Sequence, residues 1–506
     1  MYKKRIILII LLLTVLAAVA ASCKTEGGSA DDTVSLTEND GQGGESSPDD
    51  LTDKPERIPS DLPDADFGGK LFKVLGCINS TYDQFTNFEI DAESVNGERV
   101  NDAVYNRNRA LEEKYNVVIA QDLLDDPQGT LQKLVKAGDD NYSLAFLWTQ
   151  NGAIGNVAMT GAFYNLNSMK YLDFEKPWWN KEINGALSVN NKLYFTTSDF
   201  AMQEKARTFI LAFNKTMAQD YNLGNLYDLV YEGKWTVDKM LEFTKDVAID
   251  LDGDGKMTDA DQWALGMSNY DSFANFYVGC DNYIVTKDNG DNPVLSVNND
   301  HTMASIDKIL RLANDKTMAY YCPEFQGKVS YDYWYTMLYM FYEERLLFCE
   351  TLVHTLKDIT QASDVNFGVL PFPKYDESQK SYISTPDAWW ASLFGIPAIV
   401  QDADFASFML EALSAASKYD VLPEYIEVSV KTKYTVDEDS VKMLETIFDG
   451  ARYDLGRIYN WGSIGSLFID TIPRAGANNF SSQYEKIQGK VESAMQKTVD
   501  TFKELP

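Results

Sequence analysis

Two periods of apolar residues alternate along this chain. A short apolar run over 71–76 predicts a first strand. Residues 100–115 then place Val104, Leu111 and Tyr115 at helical spacing. Residues 116–119 predict a second strand, 131–137 a helix and 144–148 a third strand. Strand–helix–strand order implies βαβ units and a largely parallel sheet. In open sheets of this kind ligands sit beyond the carboxyl ends of the strands. Trp148 stands at one such end, and the polar cluster Asn79-Ser80-Thr81-Tyr82 follows another.

The alternation resumes after Lys192. Residues 193–195 and 208–213 predict strands, and 226–231 and 236–249 helices, with Thr236 as an N-cap. Residues 283–286 and 294–297, joined by Asn289-Gly290-Asp291, predict a hairpin. Helices are expected over 303–314 and 331–344, short strands over 346–348, 367–371 and 389–394, and a mainly helical region over 440–502.

Ahead of this body the pattern changes. A basic start, Lys3-Lys4-Arg5, precedes an apolar run over 6–22 that closes on Ala20, Ala21 and Ser22, immediately before Cys23. These are the parts of a secretory signal. Ending at a cysteine, it resembles a bacterial lipoprotein signal, in which that cysteine is lipidated and becomes the new N-terminus. The competing reading, one transmembrane anchor, needs a slightly longer apolar run. Residues 24–69 are rich in Gly, Ser, Asp, Glu and Pro, with almost no aromatics before Phe67. Such a stretch buries too little apolar surface to offset chain entropy, and a flexible leash is its simplest use. The expected order is a signal peptide over 1–22, a disordered tether over 23–65, and then the folded body.

The body exceeds what one hydrophobic core usually organises, so two lobes are expected. The formal net charge is −31. A surface this acidic repels phosphate backbones, which argues against nucleic acid as a partner. Cys77, Cys280, Cys322 and Cys349 are widely spaced without a C-x-x-C, and only His301 and His354 are present, so a zinc site is not expected. Two disulfides and four buried thiols are both compatible with the spacing.

Four segments carry a resemblance. Phe209-Ile210-Leu211-Ala212-Phe213-Asn214-Lys215-Thr216-Met217 resembles the strand-to-helix step of family-one extracellular solute-binding proteins. Gly233-Lys234-Trp235-Thr236 is similar to their G-K-W-T helix start, and residues 367–375 to their F-G-V-x-P-x-P strand. Tyr453-Asp454-Leu455-Gly456 with Tyr459-Asn460-Trp461-Gly462 resembles a late signature of the oligosaccharide-type lipoproteins in that group. The motifs keep their order over nearly the whole mature chain. The resemblance implies an α/β, two-lobe periplasmic-binding-protein-like fold, with hinge strands and a ligand cleft. It also implies a monomeric receptor that delivers solute to the permease subunits of an ABC transporter. Crossing strands are then expected over 196–207 and 382–388. They divide the body into one lobe of 66–200 plus 382–418 and another of 201–381 plus 419–506.

Sugar rings expose apolar faces and polar edges, so aromatic faces with carboxylates and amides suit them. The candidates for ligand contact are Trp148, Asp199, Arg207, Asp387, Trp389, Trp390 and Trp461; Trp178 and Trp179 read as a packed loop. A separate motif, residues 250–261, reads as an EF-hand-type calcium loop. Its expected ligands are Asp250, Asp252, Asp254, the Lys256 carbonyl, Thr258 and Asp261, the last one methylene shorter than the usual Glu. Calcium would be structural there.

At the level of function, the first reading is a receptor for an oligosaccharide or a similar neutral solute. The alternative is an extracellular glycosidase, which needs two suitably spaced carboxylates. With 76 acidic residues, candidate pairs discriminate nothing. No G-x-S-x-G, H-E-x-x-H or P-loop occurs. A structural adhesin would show repetitive β modules instead. Peptides and other oligomers stay open as ligands.

Overall fold

The computed structural model describes residues 56–268, 271–329, 332–430 and 437–506. The signal segment and Cys23 lie outside them. Among the described residues no helix is long and apolar enough to cross a membrane.

Strand β1 (Lys70–Cys77) forms the middle of the first sheet, with β2 (Val117–Leu124) parallel on one side and β3 (Leu144–Trp148) parallel on the other. Strand β11 (Ser392–Gly395) adds antiparallel to β3, giving the order β11-β3-β1-β2. Helix α1 (Arg99–Tyr115) joins β1 to β2, as its periodicity predicts. Glu98 caps its start by accepting from the Asn101 N–H, and Asn116 ends it in the left-handed region at φ 49°. Helix α2 (Pro127–Ala137) starts at an Asp126 N-cap followed by Pro127, and stops at Gly138 with φ 67°. Both caps pin the turns that carry the strand ends. Strand β3 is buried along its whole length. Phe146 packs edge-on against Phe200 and Phe394 at 5.6 and 5.2 Å. A fully buried ring of this kind contributes about 1.5–3 kcal/mol.

The second sheet has the order β10-β4-β9-β5-β8. Its strands are β4 (Phe209–Asn214), β5 (Trp263–Met267), β8 (Ala319–Tyr321), β9 (Leu346–Leu352) and β10 (Phe367–Leu370). It is mixed: β4 runs antiparallel to β9 and β10, whereas β5 is parallel to β8 and β9. The predicted hairpin forms as β6 (Val285–Lys287) with β7 (Pro293–Leu295).

The chain passes from the first sheet to the second between β3 and β4, and returns between β10 and β11. The two passages touch: Thr208 bridges Pro386, and the Asp387 N–H donates to the Arg207 carbonyl at 2.9 Å. The first passage is not a continuous strand. Thr196 bridges Phe394 and a short helix, Met202–Ala206, follows. Residues 193–195, predicted as a strand, enter no ladder. Residues 389–390, predicted to open β11, form a turn instead, because Asp387 accepts the Trp389 N–H at 2.8 Å and holds the backbone back. Helix α3 (Val237–Phe243) is capped by Thr236 as expected, but stops well before residue 249. There the Thr244 hydroxyl bonds the Met240 carbonyl at 2.9 Å, and Asp246 turns at φ 60°.

Three boundaries differ from the sequence reading. Residues 56–65, assigned to the leash, are held against the body: the Ile58 N–H donates to the Tyr419 hydroxyl and Lys176 to the Pro59 carbonyl, both at 3.0 Å. Helices α4 (Ala403–Asp420) and α5 (Leu422–Val430) both pack on α1, and α5 also packs on the helices Thr355–Ala362 and Glu438–Asp449, so the chain past residue 418 touches elements of both sheets. The last helix, α6 (Phe480–Glu504), lies against the region of Lys192 and Tyr194. Lys192 bonds the Phe502 carbonyl at 2.9 Å and the Tyr194 hydroxyl the Pro506 carbonyl at 2.7 Å. Cys77, Cys280, Cys322 and Cys349 are all buried thiols, and the Cys322 sulfur lies 3.8 Å from that of Met337.

Candidate functional site

The carboxyl ends of β1, β2 and β3 converge on one cavity of about 430 Å³. Asn79 follows β1, Asp125 follows β2, and Trp148 closes β3; Gln128, Gln150 and Trp390 also line it, with Ile78, Asp126 and Ala153. Each polar group is set by its backbone. The Asn79 carboxamide oxygen accepts from the Thr81 and Tyr82 N–H groups at 3.0 and 2.9 Å. The Ser80 hydroxyl and N–H both donate to the Asp125 carboxylate, at 2.5 and 2.9 Å, which holds that exposed carboxyl below its ordinary value.

The wall is aromatic. Trp148 is almost fully buried and meets Trp390 edge to face at 5.6 Å and 88°. Trp390 stacks on Phe85 at 4.8 Å and 6°. Behind Phe85 lies the Arg207 guanidinium, 4.3 Å from the ring centre. Arg207 donates to Asp387 at 2.7 Å inside the molecule, each side chain 4% exposed. His354 Nδ1 lies 3.3 Å from Arg207; burial and that cation push its imidazole down to about 3, so it is neutral. The cavity therefore combines ring faces with amide and carboxylate edges, the donor–acceptor mix that a polyhydroxylated neutral ligand needs.

The structure brings Trp148 and Trp390 together in this cavity and puts Arg207 and Asp387 one layer behind it. Trp389 is in the adjoining turn, 37% exposed. The other two candidates are committed elsewhere. Asp199 is clamped by Lys205 at 3.0 Å and Lys418 at 3.3 Å and is buried. Trp461 stacks on Tyr459 at 5.2 Å and donates to Thr498 of α6 at 2.9 Å. Trp178 and Trp179 are packed, both indoles donating to the buried Glu411 at 2.9 and 3.0 Å. Asp125, Gln128 and Gln150 escaped the sequence reading. The rule about strand ends would have found Asp125, had β2 been drawn to Leu124 rather than to residue 119.

The acidic loop lies between α3 and β5. An Ile249–Gln262 bridge, with hydrogen bonds of 3.0 and 3.1 Å, closes its ends. Gly253 and Gly255 turn at φ 72° and 81°. Carboxylate oxygens of Asp250, Asp252 and Asp254 lie within 4.8 Å of one another. N–H groups of Gly255 and Gly253 keep Asp250 ionised below its ordinary range. Asp261 is buried; its two oxygens accept from the N–H groups of Leu251 and Thr258 at 2.9 and 2.7 Å. The Lys256 ammonium stands 3.9 Å from Asp254. Three converging carboxylates at positions one, three and five fit a hard cation.

No family model and no curated protein matches the sequence. Solved structures do. The chain superposes on a cyclo/maltodextrin-binding protein complexed with maltotetraose at a TM-score of 0.50 and 15% identity, covering 86% of this chain and 97% of the other. The glycerophosphocholine complex of UgpB from Mycobacterium tuberculosis gives 0.49 at 16% identity, over 80% of this chain and 98% of the other. A solute-binding protein from Thermotoga lettingae bound with α-D-tagatose gives 0.49 at 14%, over 85% and 100%. The superposition on the first shows the fold alone: this chain folds as that maltodextrin-binding protein does.

Proposed function

We propose that this protein is an extracytoplasmic receptor that binds an oligosaccharide and passes it to the permease subunits of an ABC importer. The observation that carries this reading is the cavity of Trp148 and Trp390 rings with Asn79, Asp125, Gln128 and Gln150 edges. It opens at the strand ends of a fold shared with a protein solved with maltotetraose. Two lobes, one around each sheet, close on the ligand about the paired passages at Arg207 and Asp387. The protein acts as a monomer, tethered through lipid on Cys23. The tethered position, the aromatic cavity and the absence of any G-x-S-x-G or H-E-x-x-H motif favour transport over hydrolysis.

A glycan panel tests this. A bound sugar at a hundred times its Kd raises the stability of the purified protein by about 2.7 kcal/mol. The melting temperature should rise with at least one oligosaccharide while no reducing sugar accumulates, and Trp148→Ala and Trp390→Ala should each reduce the rise. Release of reducing sugar over time would transfer the protein to the glycosidase reading.

The loop at 250–261 binds calcium in a structural role, through Asp250, Asp252, Asp254 and the Lys256 carbonyl, with Thr258 and Asp261 completing the loop. Millimolar calcium outside cells suits a site of modest affinity. Calcium should raise the melting temperature of the wild type and leave that of Asp252→Ala unchanged; an equal rise in both would remove the assignment.

A further inference from the structure

The aromatic wall of the cavity does not end at Trp390. Phe85, stacked on it, meets Tyr82 edge to face at 5.7 Å. Tyr82 is 48% exposed, and its N–H is held by Asn79, a residue of the cavity. Beyond it stands the helix Tyr333–Tyr342, which packs on β9 of the second sheet. Its buried face is made by Met337, Leu338, Met340 and Phe341. Its outer face carries Tyr335 and Tyr339, one turn apart and 45% and 48% exposed. Tyr342, one turn further, meets Tyr339 edge to face at 5.8 Å. Tyr82 and the Gln84 side chain both lie within electrostatic reach of the Tyr335 hydroxyl. The Asp358 carboxylate acts on both Tyr335 and Tyr342 from the next helix, Thr355–Ala362. Tyr335 and Tyr339 leave nearly half of each side chain to solvent, and an exposed aromatic stripe of this kind marks a contact surface.

We propose that Tyr82, Tyr335 and Tyr339 form an outer sugar subsite continuous with the cavity. The ligand is then a chain of several sugar units lying across both sheets, not a mono- or disaccharide held by the cavity alone. This rests on the receptor reading above. The tyrosine faces cover pyranose C–H faces, and Gln84, Asp358 and the phenol hydroxyls bond the sugar edges. The two halves of the site stand on different sheets. Only a ligand that spans both gains contacts on closure, and that differential affinity is what shifts an open–closed balance.

Calorimetric titration of malto-, cello-, xylo- and manno-oligosaccharides of two to six units tests the subsite. The variants are Tyr335→Ala, Tyr339→Ala and Trp390→Ala; both tyrosines are exposed, so their removal spares the core. Affinity should rise with chain length in at least one series. Each tyrosine variant should lose about tenfold for the longest ligand, the worth of one aromatic contact, and keep wild-type affinity for the disaccharide. Trp390→Ala should weaken both. Equal Kd at every length, or tyrosine variants that bind the longest chain like wild type, would overturn the subsite and leave the receptor intact. No binding of any series by the wild type would overturn the receptor reading, and the subsite with it.

Discussion

Arg207 sits where the two passages meet, and its neighbours define its role. One side chain closes an internal ion pair with Asp387, supports Phe85 and, through it, positions Trp390. Removing one partner of a buried pair leaves the other charge uncompensated, at a cost of about 3–5 kcal/mol. Arg207→Met should therefore lower stability by about that much in urea denaturation, and Asp387→Leu added to it should recover part of the loss. Glu350 makes a different point. Burial pushes its carboxyl up to about 7, against the opposing hydrogen bonds of the Ser268 N–H and the Asn275 amide. The unfolded chain titrates near about 4.3. Between these values the folded state holds the proton and the unfolded state does not, so stability falls as pH rises through that window. Denaturation at a series of pH values should show this slope in the wild type and a shallower one in Glu350→Gln. At this scale Trp148 and Asn79 were legible, because strand-end positions follow from local pattern. Phe85, which orients Trp390, was not: nothing local marks a ring that a distant arginine supports.

Elements were legible where one periodicity ruled. Helix α1, β1 and β3 fall where their patterns put them, and the hairpin β6–β7 follows its Asn-Gly-Asp turn. The misplaced ends have local chemical causes. Thr244 back-bonds and ends α3, and the Asp387 turn delays β11. β5 and α4 carry short or wholly buried apolar patterns that do not declare their period. Strand β10 also tests the packing of its sheet. A Cβ on Gly368 would lie 2.1 Å from the Tyr227 hydroxyl and 2.4 Å from the Phe213 ring. Gly368→Ala should lower stability by about 1–3 kcal/mol through overpacking, read from the urea midpoint at unchanged slope. The same small residue is second in the F-G-V-x-P-x-P resemblance, which gives that motif a steric reason.

The whole molecule turns on connectivity. β3 and β11 share one sheet, β4 and β10 the other, and the chain goes out and back through neighbouring passages. In the proposed reading the two bodies rock about Arg207 and Asp387, and a ligand held at the strand ends of the first sheet biases that motion by what it gains from the second. The formal charge of −31 keeps such a body soluble and away from anionic headgroups. In the proposed reading, attachment depends on lipid at Cys23. Cys23→Ser should move the protein from the membrane fraction to the soluble fraction of fractionated cells, with the folded body's melting temperature unchanged.

By itself the sequence determined the alternating α/β order, the helix caps, the acidic loop and the aromatic and amide residues at strand ends. All of these depend on neighbours a few positions away. Tertiary structure decided which tryptophans face the cavity, that Asp199 and Trp461 serve the interior, and where α5 and α6 pack. Those outcomes depend on side chains hundreds of residues apart competing for the same buried space, and no local period encodes that competition.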